Sequence, residues 1–160
     1  VRQLLDRIYQ QPLFVALGRP LWWLARRPSL ERTALRTGRF YGALVHGLLG
    51  PRRAPTSAGE LAERWSRLMP HPRSDFPVVS DDGRTAYVEI HLHCPLRGSG
   101  DSAACWRAMS FDRELLRRMG GQLVVMQSQS TQGTCCRLAI RAAGDDVSDL
   151  PVADPRWLTG

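Results

Sequence analysis

The chain contains neither lysine nor asparagine, so all 22 of its basic residues are arginine. A bias that complete reads as the mark of a GC-rich coding sequence, which leaves richness in arginine only partly a functional signal. The four cysteines stand at 94, 105, 135 and 136 without a CxxC pair, which argues against a structural zinc site built from cysteines. No zinc-finger spacing, RNA-binding signature or aromatic-stacking sheet motif accompanies the positive charge, so nucleic acid is not expected as a partner. The longest apolar run, Pro12 to Ala25, is broken by Arg19 and Pro20, whereas a transmembrane helix needs about twenty largely apolar residues. No signal-peptide pattern opens the chain, and its initial Val reads as a lost start codon or leading segment. The expected setting is cytoplasmic, where four cysteines read as thiols or ligands rather than a disulfide frame.

At 160 residues and 43% hydrophobic composition, the chain suits a single domain with its own core. Its net charge of +7 is uneven. Residues 1 to 73 carry 13 Arg against 4 acidic residues, and residues 74 to 160 carry 9 against 11. The basic half is the one with helical patterning, and a solvated Arg-rich surface is its simplest reading.

Residues 1 to 28 form an N-terminal helical arm, with a short pattern at Arg2 to Tyr9 and an apolar stretch from Leu13 to Arg27 that Pro20 kinks or restarts. Trp22 and Trp23 favour burial against the domain or a second copy, giving a homodimer through the N-terminal helices; contact with a membrane surface is the lesser alternative. Ser29 can cap a helix that runs through Leu30, Phe40, Leu44 and Leu48 to a stop at Gly50 and Pro51. Gly38, Gly42 and Gly47 within it read first as close packing. Ser57 and Glu60 have capping-box spacing ahead of Leu61, Trp65 and Leu68. Val78 and Val79, followed by Ser80-Asp81-Asp82-Gly83, lead as a hairpin into Thr85 to Cys94, whose alternation describes a half-buried strand. Ser102 to Met119 has helical spacing with Gly120 as its stop. Gln122 to Ser130 and Thr134 to Ala142 form a second hairpin around Gly133. The expected fold is therefore α+β: N-terminal helices, then an antiparallel sheet of about four strands in the order hairpin, helix, hairpin, covered by helices. The core spans 29 to 142, and 143 to 160 reads as a loose C-terminal tail.

Glu89, His91 and His93 project from one face of one predicted strand, and two imidazoles and a carboxylate can hold a divalent metal; the polar face of a sheet is the plainer reading. Cys94 ends that strand on the opposite face, before Pro95 and the loop to Asp101. Arg97, Arg137, His91 and His93 are the local groups able to lower its pKa. Cys136 shares a strand face with Leu138 and Ile140 and points inward, while Cys135 faces the other way. Cys105 and Asp112, seven residues apart, recur on one helical face, where Asp112 can serve as a base or orienting group.

Cys94-Pro95, the helix carrying Cys105 and Asp112, the turn glycine Gly133 and the strand opening at Cys136 together resemble the L-2-amino-thiazoline-4-carboxylic acid hydrolase family. They are also similar to the vinyl-reductase-like small-molecule-binding domains, whose fold is shared with vesicle-transport particle subunits. The similarity weakens towards Arg36, and it departs from the family at Thr134, where an acidic residue commonly follows the turn glycine. The resemblance implies hydrolysis of a C–N bond in a small anionic heterocycle. Cys94 or Cys136 would be nucleophile, Asp112 proton handler, and Arg97, Arg137 and Cys105 substrate contacts, with no cofactor required. Two other readings stay open: a non-catalytic small-ligand-binding or sensory module, and a metalloprotein centred on His91 and His93.

Overall fold

A computed structural model describes residues 14–51, 53–69 and 73–158, so the helical pattern expected at Arg2 to Tyr9 lies outside the described residues. Helix α1 (Phe14–Ala25) runs on through Pro20. The missing proline N–H orphans only the carbonyl of Ala16, and both residues are exposed, where water can take the acceptor. Leu21 and Ala25 bury one edge of α1, while Trp23 stays 53% exposed, so the arm docks without being engulfed. Helix α2 (Glu31–Leu49) follows a single 3-10 turn at Pro28–Leu30. Leu30, not Ser29, is its N-cap residue, with no side-chain cap: the proline turn brings the chain into the helix directly. The apolar stripe of α2 splits into a buried set, Ala34, Val45 and Leu49, and an exposed row of Phe40, Leu44 and Leu48. Helix α3 (Ala58–Leu68) starts as its spacing predicts, the Ser57 side chain accepting from the Glu60 N–H.

Strands β1 (Val78–Asp81) and β2 (Ala86–Ile90) form the first hairpin, with Gly83 at φ +88° in its turn. The predicted long helix is two, α4 (Ser102–Ala108) and α5 (Ser110–Arg118), separated at Met109. Gly120 ends α5 at φ +84°. Strands β3 (Gly121–Gln127) and β4 (Cys136–Ala142) complete an antiparallel sheet in the order β1-β2-β4-β3, so β4 lies between β2 and β3. Val88, Leu138, Ile140, Leu123 and Val125 bury one face of the sheet beneath α3 and α5, around fully enclosed Trp65 and Leu115.

Two buried arginines fasten the periphery. Arg107 donates to the carbonyl of Ala25 at 2.7 Å and to Glu31 at 3.3 Å, tying α4 to the end of α1 and the start of α2. Arg141 donates to Thr85 at 2.7 Å and to both carboxylate oxygens of Asp149 at 2.6 and 2.8 Å. The tail expected to be loose is thereby held. The Ala153 N–H bonds the carbonyl of Val125, and Leu150 and Trp157 are buried.

Candidate ligand-binding cavity

Strand β2 stops four residues short of the predicted end, and that shortfall shapes the site. Ile90 pairs with Cys136 as the last rung on β4. Beyond it, the Gln129 side chain replaces the ladder: its amide N–H groups donate to the carbonyls of Ile90 and Leu92 at 3.2 and 2.9 Å, and its carbonyl accepts from the Cys94 N–H at 3.3 Å. Gln129 is almost fully buried, and periodicity does not single it out; its one signal in the sequence is the polar run Gln127 to Ser130 closing an apolar strand. With the chain 91 to 96 led away from the sheet, a space opens between the strand ends and the helices.

The space is a cavity of about 120 Å³. Cys94, Cys105, Asp112 and Cys136 all line it, so the residues singled out from three separate stretches converge. Leu21 and Trp22 of α1 and Trp65 of α3 are among its apolar walls. His93 is exposed and also lines it, so the lining reaches the surface there. Arg97 and Arg137 do not line it. Arg97 donates to the carbonyl of Thr134, and Arg137 pairs with Glu89 at 3.2 Å on the outer face of the sheet. Among the described residues no arginine lines the cavity.

Electrostatics follow from those apolar walls. Burial pushes the Cys105 thiol up to about 12 and the Cys136 thiol up to about 11. Burial also raises Cys94, and the lowering by the Leu96 N–H and by the charges of Arg26 and Arg97 does not reverse it. Each sulfur accepts a hydrogen bond: from the Leu96 N–H to Cys94 at 3.4 Å, from the Ser128 hydroxyl to Cys105 at 3.2 Å, and from the Gln129 N–H to Cys136 at 3.4 Å. The thiolate activation expected from nearby arginines is thus outweighed by desolvation. Asp112 is raised from 3.8 to about 7, again by burial, although the Trp65 indole N–H donates to it at 3.1 Å. It is the one lining carboxyl among the described residues, and it can change charge near neutrality.

The proposed metal face divides. His93 turns to the cavity once the strand ends, while Glu89 and His91 remain on the outer face with Cys135, their ligand atoms all within 4.8 Å of one another. These three are the residues able to hold a divalent ion. Among the described residues the three cavity thiols do not form a second such group. No helix among the described residues is long and apolar enough to cross a membrane.

No protein-family model, curated protein or solved structure matches this chain.

Proposed function

We propose that the protein is a small-molecule-binding domain whose cavity encloses a compact, largely apolar ligand. The observation that carries this reading is the convergence of Cys94, Cys105, Cys136 and Asp112 on one apolar space. Buried neutral thiols behave as small hydrophobes, and an apolar concavity with few polar groups is the usual form of a ligand site. A cavity of about 120 Å³ is close to the roughly 150 Å³ that admits a benzene-sized ring. Ring-sized compounds should raise the melting temperature and change the fluorescence of Trp22 and Trp65 in the walls. Ala108→Phe, which fills the cavity, should abolish both responses. Binding that survives the filled cavity would sink the reading.

Hydrolase-like turnover is the second reading, favoured by the same convergence and by the resemblance through Cys94, Asp112 and Cys136. Asp112, with its pKa about 7, suits a proton handler. Against a carboxylate substrate stands the lack of a lining arginine among the described residues. Loss of turnover of a thiazoline carboxylate in Cys94→Ser or Cys136→Ser, at unchanged stability, would establish it. Pairing of two copies through the N-terminal helices is supported by the exposed row of Phe40, Leu44 and Leu48 on α2. Light scattering of Leu44→Glu should then report a monomer where the parent chain reports a dimer.

A further inference from the structure

The polar groups of the cavity are unequal in sign, and that inequality bears on the ligand. Asp112 is acidic and has one side-chain donor among the described residues, the Trp65 indole N–H, which is neutral. The charge of its neighbour Arg113 favours the ionised form, but by less than burial opposes it; the guanidinium itself lies 4.0 Å over the Trp106 ring and 5.2 Å from Trp157, and donates to the carbonyl of Trp106. The other titratable groups that line the space are Tyr41 on α2, Cys105 on α4, Cys136 on β4, and Cys94 with exposed His93 on the loop between β2 and α4. The thiols are held protonated, so they add no second negative charge beside Asp112.

A carboxyl so placed is costly to ionise, and a ligand that brings its own cation removes that cost. An anionic ligand would meet repulsion, and among the described residues no guanidinium lines the cavity to pair with it. A neutral alcohol would gain one hydrogen bond, whereas an ammonium would gain a charge-assisted one in a poorly solvated place. We propose that the cavity takes a small protonated amine carried on a ring-sized apolar body, with its N–H groups donating to Asp112. This rests on the reading of the cavity as a ligand site and names the class of molecule that fits it.

Three probes with the same ring and different charge separate the possibilities: benzylamine, benzyl alcohol and benzoate, titrated by calorimetry into the intact chain at pH 8. Benzylamine should bind roughly ten-fold or more tightly than benzyl alcohol, and benzoate most weakly. Asp112→Asn should bring benzylamine down to the level of the alcohol. Equal affinities, or a preference for the alcohol or benzoate, would overturn the amine proposal while leaving the cavity as a ligand site. Failure of all three to bind would overturn both. The ranking on the unmodified chain decides even if the variant does not fold.

Discussion

Helix α5 meets its neighbours in two opposite ways. Towards α2 the contact is so close that a methyl group has no room. A Cβ on Gly38 would lie 1.9 Å from the Ser110 hydroxyl oxygen and 2.9 Å from the Phe111 nitrogen, and one on Gly42 would lie 2.7 Å from the Phe111 carbonyl oxygen. One residue further along α5, Asp112 lines a cavity of about 120 Å³. The same short helix is thus packed to its backbone on one side and lines a cavity on the other. Loose packing in general does not account for that space; it is local, and it coincides with the acidic group and the thiols.

The largest expected effect comes from removing the charge on the open side. Asp112 titrates near 7 in the folded chain and near 3.8 unfolded, so the folded state binds the proton more tightly. The sign follows: this group favours folding at low pH, and that advantage is lost as pH rises from about 4 through about 7. The full effect is at most roughly 4 kcal/mol, at about 1.4 kcal/mol per pKa unit. Asp112→Asn should therefore gain stability relative to the parent chain between pH 5 and pH 8, by denaturant titration at both values. A gap that stays constant with pH would mean the carboxyl is better solvated than its surroundings imply.

The closed side gives the next largest effect. Glycine inside a helix ordinarily costs about 1 kcal/mol relative to alanine, so Gly→Ala should stabilise. At Gly38 and Gly42 the sign should reverse, with losses of about 1–3 kcal/mol from overpacking against the α5 backbone. Gly47 is the internal control, since nothing lies within 4 Å of its Cβ position, and Gly47→Ala should gain up to about 1 kcal/mol. Thermal melts of the three variants check the contrast. Three changes of the same sign would remove the distinction between the two sides of α5.

Much of this contrast is legible in the sequence, and the unreadable part has physical causes. Gly38 and Gly42 sit in an apolar helical stripe where close packing is their first reading, and the hairpins announce themselves through Gly83 and Gly133, both at positive φ. The inward Cys136 and outward Cys135 follow from alternation alone. The break at Met109 does not, because apolar spacing carries across it and no proline or glycine marks it. Nor does the early end of β2, which depends on Gln129, 39 residues beyond Ile90. Asp112, Cys105, Cys94 and Cys136 could each be singled out by type. Their common cavity arises from tertiary packing of helices and strand ends, and the thiols' raised pKa from walls such as Trp65 that no local pattern assigns to the site.

Reactivity of the thiols sharpens the comparison at a smaller scale. Limited alkylation near neutral pH, read by peptide mass, should leave Cys105 and Cys136 almost unlabelled, because the thiolate is the reactive form and burial disfavours it at both. Cys94, half-buried and closer to the charges of Arg26 and Arg97, should react slowly but ahead of them. A ring-sized ligand should slow it further. Rapid labelling of Cys136 would instead restore it as a nucleophile and favour the hydrolytic reading over simple binding.

The smallest effect is expected on the outer face of the sheet, where Glu89, His91 and Cys135 approach one another as donors for an ion. Unlike Asp112, whose side-chain donor is the neutral Trp65 indole, Glu89 has a cationic partner: the Arg137 guanidinium at 3.2 Å, directly opposite in the β2–β4 register, beside His91 at 3.0 Å. A divalent cation entering there must displace or sit beside a fixed positive charge, and the exposed His91 must give up its present bond. Cobalt(II) titration should accordingly produce no thiolate-to-metal absorption band in the parent chain. Arg137→Ala removes the competing charge without touching a donor, so it is the variant in which a weak band should emerge, and Cys135→Ser in that background should remove it. A strong band in the parent chain, lost on Cys135→Ser or His91→Gln, would reverse the ranking of the two faces. The outer face would then hold a metal centre, with Arg137 as its neighbour rather than its substitute.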